Sequence, residues 1–593
     1  MRRSALGAAV LAVAFLVPSL AGGHAERPTL SPPRKGPVPD QARSHGRVID
    51  VCKTGECEFE HIQAAINSIP ANNTTPTLVR IWPGFYREEP SRAVPNGTPD
   101  NSNGTFSYEY MLANPNAENL VAIVGKKNVT LRGMGRNPRE VVIDAEFKKH
   151  VVVRGDRSDG VIMENFSVWH GYDHGVYILD TDGFVIDGIV SGYAREYPFL
   201  TFANDYGLMK NCEAFGGGDG GIYPGSSADT GQRSPEDLLM SPAPSMGRVS
   251  TEIRNCKSYH NVLGYSGTQG DHVWFHDNEL YDNAVGFVTD SETDHPNYPQ
   301  NNLLFENNKV YDNNFNVYSK NSDVKATVFA NSILIPVGVG VLIASGNDNL
   351  VQKNTIYGHS NYGVWLLNGP GIILGPGAPI VDGGPFGAPF LSERNTFKDN
   401  VMFDPAHIAG SGNGTDFGWD GLGFTNCWTN NLHAPGNTNA TSNAVMLPDC
   451  TGLPITPGVP NTNLIDQGGL IFIDTDGDGA NDRPICDLIG TCPAEYDVGP
   501  DLKDARNFPE GYKPPPTPPT CGPSTCPGAS AARVRGTKTT RPAPRPVTGA
   551  DDLPATGVGS PLALSIALIV GAAGVGSAAI RARGARPKAK SFN

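Results

Sequence analysis

Charge is scarce in this 593-residue sequence: Asp, Glu, Lys and Arg together make up 18% of it. Positive charge is scarcer still, 46 Lys and Arg against 60 Asp and Glu, for a formal net charge of −14. That balance excludes the basic face nucleic-acid recognition requires, so no nucleic-acid partner is expected. Cysteine is sparse as well, ten in all, and no spacing matches two paired Cys-x-x-Cys knuckles of a structural zinc site. What is abundant is Gly (70) and Pro (50), too many chain breakers for a mainly helical protein. A hydrophobic share of 39% is too high for wholesale disorder, which leaves an all-β or solenoid body with loop-rich ends.

The two ends carry an address. Arg2 and Arg3 precede a short apolar run over residues 5–20 and a small-residue zone ending at Ala25, the three parts of a secretory signal peptide. At the other end Leu553, Pro554, Ala555, Thr556 and Gly557 are followed by an apolar stretch over 561–580. A tail with Arg581, Arg583, Arg586, Lys588 and Lys590 comes next. About twenty apolar residues span a bilayer, and the basic tail stays cytoplasmic. This order resembles the sorting signal of sortase-anchored proteins of Gram-positive bacteria. The resemblance implies cleavage between Thr556 and Gly557 and transfer of the Thr556 carboxyl to peptidoglycan, with membrane contact only before processing. The expected location is the cell wall. Without residues 1–25 and 557–593 the chain keeps 39 positive and 60 negative residues, a net of −21.

An exported chain favours disulfides. Eight cysteines fall into the local pairs Cys52/Cys57, Cys427/Cys450, Cys486/Cys492 and Cys521/Cys526. Cys212 and Cys256 pair if one rung with a long loop separates them, and stay apart if a whole rung intervenes.

An internal period organises the middle of the chain. Asn follows a short apolar segment at 165, 211, 255, 278, 308, 331, 354 and 400, with Gly188 between the first two, and five of the steps are 23 residues. A second β-type patch, often led by Gly, follows each: Gly175, Gly221, Gly286, Gly340 and Gly363. Two or three short strands in ~23 residues fit one rung of a stacked solenoid, and Asn suits its turns. An amphipathic segment over 59–68, then a Pro83, Gly84, Tyr86 motif, completes the pattern. Together these resemble the pectate-lyase-like right-handed parallel β-helix superfamily over roughly 47–452, with the first helix capping the open end.

The same phase aligns acids. Asp173, Glu196 and Asp219 are spaced 23 and 23, which stacks three carboxylates at the turn before the second patch. Rungs ~4.8 Å apart bring like charges close enough to demand a shared proton or a cation. The register also brings His170, His174 and Arg195 near, with Tyr172, Tyr177, Tyr193 and Tyr223 as candidate sugar-stacking faces. Polysaccharide lyases of the superfamily hold Ca²⁺ on rung-stacked acids, and its glycosidases use paired carboxylates. The resemblance therefore implies a catalytic group of Asp173, Glu196 and Asp219, with Arg195 or His170 as base or charge neutraliser. The polygalacturonase and pectin methylesterase patterns are both missing, so neither activity carries over.

Beyond the solenoid, Asp474, Asp476, Asp478 and Asp482 alternate around Gly479, which looks like the Asp-rich calcium loops of thrombospondin-type modules. Structural Ca²⁺ is the expected cofactor. Pro-rich sequence after 507 reads as a stiff spacer.

The reading is thus an all-β, right-handed parallel β-helix in a fixed order of parts. These are a signal peptide (1–25), linker (26–46), β-helix with helical cap (47–452), calcium-loop segment (453–506), Pro-rich spacer (507–552) and sorting signal with a transmembrane helix (553–593). The expected function is polysaccharide binding with lyase- or glycosidase-type cleavage; the alternative is a non-catalytic surface adhesin or structural wall protein.

Overall fold

The computed structural model describes residues 45–71, 73–88, 108–227, 249–291, 299–317, 322–324, 335–367, 392–421, 423, 425–437, 440–441, 447–451, 472–473, 483–484 and 513–526. Three parallel sheets of twelve, nine and ten strands, here A, B and C, run along one axis. Each rung gives one strand to A, then B, then C, so the chain is a right-handed parallel β-helix, the hand favoured for crossovers between parallel strands.

Stacking explains why such short strands hold. Val79, Leu131, Met163, Ile186, Met209, Ile253 and Phe275 are successive partners in sheet A and point inward, each no more than 1% exposed. Each contributes roughly 1.5–3 kcal/mol by leaving water. The glycines that lead the sheet C strands answer a close approach between neighbouring rungs. A Cβ on Gly175 would lie 2.1 Å from Ser191 Oγ and 2.6 Å from the Pro198 carbonyl.

The step of 23 holds from Ile162–Glu164 through Val185–Asp187 to Gly207–Lys210. Further along, the asparagines divide into two neighbouring columns. Asn165, Gly188, Asn211, Asn255, Asp277, Asn307, Lys353, Asp399 and Asn430 take left-handed φ between 52° and 65° at the A-to-B turn. Asn278, Asn308, Asn354, Asn400 and Asn431 come one residue later and form an amide ladder. The N–H of each donates to the next Oδ1 at 2.9–3.0 Å. The step from 255 to 278 therefore crosses columns. Asn331 lies outside the described residues, and in sheet A Leu304–Glu306 pairs directly with Leu350–Gln352. Between them the chain gives Lys309–Tyr311 to sheet B and Val339–Ala344 to sheet C, which makes one rung with a long B-to-C connection.

Gly207–Lys210 likewise pairs directly with Thr251–Arg254, and Cys212 and Cys256 form a disulfide with Cα atoms 4.4 Å apart. Cys52–Cys57, Cys427–Cys450 and Cys521–Cys526 are also bonded; Cys486 and Cys492 lie outside the described residues.

The helix Ile62–Asn67 caps the first rung. The N–H groups of Ile62 and Gln63 donate to the Glu88 carboxylate at 2.9 Å each, satisfying two helix-end donors. Gln63 meets the open edge of sheet C, accepting from Ala122 N at 2.7 Å and donating to its carbonyl at 3.1 Å.

Of the Pro-rich stretch 507–552, residues 513–526 are described. Residues 513–526 lie against the body, held by the Cys521 N–H on the Pro83 carbonyl at 3.3 Å and by Ser524 and Thr525 on Glu56. The calcium-loop aspartates 474–482, Thr556, Gly557 and the apolar stretch 561–580 lie outside the described residues. The strands flanking the loop, Phe472–Ile473 and Arg483–Pro484, pair antiparallel. Among the described residues, no helix is long and apolar enough to cross a membrane.

Candidate functional site

The turn from sheet B to sheet C is tight. A Cβ on Gly171 would lie 2.1 Å from the His174 carbonyl, so the chain reverses within two residues, Tyr172 and Asp173. Each rung repeats this, and the residue just before each sheet C strand falls in one column. The Glu196 N–H donates to the Asp173 carbonyl at 2.9 Å and the Asp219 N–H to the Glu196 carbonyl at 3.1 Å. Two rungs extend the column downward, since Asp173 N–H donates to His150 and Val151 N–H to Glu118. The column therefore reads Glu118, His150, Asp173, Glu196, Asp219. None of the five is more than 2% exposed, so the acids converge in the interior rather than splay into water.

Charges alternate along the axis. His150 sets Nδ1 against Asp173 Oδ2 and Nε2 3.4 Å from Glu118 Oε2. Arg195 Nη2 donates to Asp173 Oδ1 at 2.6 Å and to Glu196 Oε1 at 3.2 Å, with its guanidinium 4.7 Å over the Tyr172 ring. His174 Nε2 stands 3.7 Å from Glu196 Oε2, and Tyr197 donates its O–H to Asp219 Oδ2 at 2.7 Å. That Glu196 oxygen, Oε2, is buried with no hydrogen-bond partner among the described residues.

This environment drives three stacked carboxyls apart in acidity. Burial works against the Asp173 charge, but His150 and Arg195 outweigh it and hold the group well below the usual carboxylate range. Burial, then the Asp173 charge, push Glu196 well above that range despite Arg195. Burial raises Asp219 to about 7, against the Tyr197 hydrogen bond. The column thus drives neighbouring carboxyls in opposite directions, Asp173 toward its charged form and Glu196 toward its neutral one.

Of the sequence candidates, Asp173, Glu196, Asp219 and Arg195 are brought together and His170 is not. His170 has φ 53°, which turns its ring to the other side of the strand. There Nδ1 meets Asp144 Oδ1 at 2.9 Å and Nε2 the Lys513 carbonyl at 3.2 Å. The tyrosines are engaged with the protein itself. Tyr177 lies under Arg154 at 4.8 Å, Tyr223 packs on Tyr197 at 4.7 Å, and Tyr193 bonds Asp323 at 2.9 Å. Glu118, His150, Arg154 and Tyr197 do not stand out in the sequence. His150 is within reach of the period, 23 residues before Asp173; Glu118 is hidden by a step of 32. Among the described residues, no group of three or more His, Cys, Asp or Glu is arranged to hold a metal ion.

A family model described as "Right handed beta helix region" matches residues 243–375. No curated protein matches the chain in sequence. Among solved structures, the mannuronan C-5 epimerase AlgE4 A-module of Azotobacter vinelandii is 13% identical with a TM-score of 0.36, over 63% of this chain and 90% of that one. Pectate lyase Pel9A is 11% identical with a TM-score of 0.32, over 70% and 89%. A family 28 exopolygalacturonase of Yersinia enterocolitica is 11% identical with a TM-score of 0.31, over 64% and 73%.

Proposed function

We propose that the protein is exported, tethered to the cell wall through Thr556, and binds a polysaccharide against sheet C, cleaving it with the acids of the column. Glu196 keeps its proton and serves as the donor to a leaving oxygen. Asp219, near neutrality, exchanges a proton at working pH, the condition for general acid–base catalysis. Asp173 stays charged and positions Arg195 and His150. Neighbouring carboxyls pushed apart in acidity are the signature of an acid and base pair, in a lyase or a glycosidase alike.

The observation that carries this reading is the Glu196 Oε2 atom, buried without a hydrogen bond. A buried carboxyl oxygen without such a partner costs about 1–3 kcal/mol, and a glycan oxygen could supply the missing hydrogen bond. The test is a screen of plant, algal and bacterial glycans for new reducing ends or unsaturated uronates, with Glu196→Gln and Asp219→Asn beside the wild type. Turnover that survives both substitutions would end the catalytic assignment.

The second reading, a non-catalytic surface protein, is favoured by closure: the column acids are buried in this structure. It expects glycan binding, or wall retention alone, without turnover. Export and tethering rest on the sequence pattern and are tested separately, by the wall-bound fraction of a Thr556→Ala chain. Structural Ca²⁺ at Asp474, Asp476, Asp478 and Asp482 is tested by calcium titration of an Asp474→Ala, Asp476→Ala chain.

A further inference from the structure

The Pro-rich stretch after residue 513 plays no part in the site, and its burial follows a pattern. Pro515, with Pro516 beside it, and Pro518 are half-buried and Cys521 is buried, while Thr517, Pro519 and Thr520 are exposed. Protection returning at 515, 518 and 521 is the three-residue period of a polyproline II strand lying with one face on a surface. Its first residue offers a carbonyl to His170 Nε2 at 3.2 Å, and Cys521 donates to the Pro83 carbonyl at 3.3 Å. Eight steps at ~3.1 Å reach ~25 Å. The register puts His170 two rungs and five residues from Pro83, a diagonal of ~20 Å, so an extended segment spans it.

The far end is fastened more firmly. The Cys521–Cys526 loop sits on the Cys52–Cys57 loop. Ser524 gives its N–H to Glu56 Oε2 at 3.1 Å and its hydroxyl at 2.5 Å, and Thr525 donates to Glu56 Oε1 at 3.3 Å. Gly522 is required by closeness, since a Cβ there would lie 2.6 Å from Thr54 Oγ1 and 2.9 Å from Glu56 Oε2. One carboxylate thus takes three donors from one small loop, and the loop is shaped to fit it.

We propose that residues 513–526 are a clasp running back along sheet B to the first rungs, with Glu56 as its latch, so that Cys526 is held at the capped, N-terminal end of the body. A load passed along the chain to Cys526 would then act on the capped end of the β-helix. The docking surface is the outer face of sheet B together with the Cys52–Cys57 loop, and its occupant is this chain's own Pro-rich segment. The inference is independent of the glycan reading and of whether the tail is joined to a wall.

The test is hydrogen exchange on the full secreted chain. The amides of Cys521 and Ser524 should exchange at least tenfold more slowly than those of an unstructured peptide. Glu56→Ala should remove that protection while leaving the strand Val339–Ala344 unchanged. Gly522→Val, which keeps the Glu56 carboxylate but crowds it and Thr54 Oγ1, should do the same. Exchange of 513–526 at the unstructured rate in the wild type would overturn the proposal, as would protection that survives both substitutions.

Discussion

Arg195 bridges two carboxyl groups from successive rungs, 2.6 Å from Asp173 Oδ1 and 3.2 Å from Glu196 Oε1. It is the hinge of the column's charge balance: with it, Asp173 stays ionised in the interior; without it, only His150 and His174 remain to offset the acids.

Arg195→Ala should therefore destabilise the protein by about 3–5 kcal/mol at neutral pH, the cost of leaving a buried charge without its partner. Arg195→Lys should recover only part of this, because an ammonium lacks the planar fork that reaches both carboxyls. Urea denaturation of the three chains measures the difference.

Asp219 ties stability to pH. Its folded value, about 7, lies above the unfolded value, so the folded state holds the proton more tightly. The stability from this group is fully present below pH ~4 and is lost as pH rises through ~7. Asp219→Asn keeps an acceptor for the Tyr197 hydroxyl and removes the titration. It should be close to neutral at pH 4 and stabilising at pH 8. The gain can reach ~4 kcal/mol, at ~1.4 kcal/mol for each pH unit separating the folded and unfolded values. Equal effects at both pH values would contradict the assignment.

Legibility from sequence followed a physical boundary. The interval between Asp173, Glu196 and Asp219 was readable because no insertion interrupts those rungs, and a constant step is a constant position. The interval across Asn308 and Asn354 was not, because an inserted segment adds residues without adding a strand to sheet A. The asparagines misled by one residue since the left-handed turn position accepts Asn, Asp, Gly or Lys, as Asp277 and Lys353 show. Residue identity there does not name the column. His170 looked like a site residue because it is three positions from Asp173, and only its backbone conformation reveals that the ring turns to Asp144. The docking of 513–526 was hidden for another reason: proline-rich composition describes a stiff chain, not what it lies on.

The two Asn columns separate in a mutational test. Asn308 receives the Asn278 N–H at 3.0 Å and donates its amide to the Phe275 carbonyl at 3.0 Å and Asn354 Oδ1 at 3.1 Å, all buried. Asn308→Ala should cost at least ~2 kcal/mol, because donors and acceptors on both neighbouring rungs lose their partners. Asn307→Gly, at φ 56°, should stay within ~0.5 kcal/mol, since glycine adopts that conformation freely. Chemical denaturation of both variants checks the contrast.

Cys212–Cys256 closes a separation of 44 residues around an insertion. The loop-closure relation gives about 4 kcal/mol of stabilisation for a loop of that size. The double Cys212→Ser, Cys256→Ser chain should unfold at correspondingly lower denaturant, with the upper rungs exchanging no faster than before relative to the whole.

Catalysis by the column is tested most directly by product analysis of glycan digests, with wild-type protein and Glu196→Gln compared at matched binding. The wild type should release new chain ends from at least one polysaccharide, and the glutamine chain should bind the same polymer yet release at least a hundredfold less. Equal release by both chains, or tight binding by the wild type with no release from any polymer it binds, would contradict the catalytic role of Glu196.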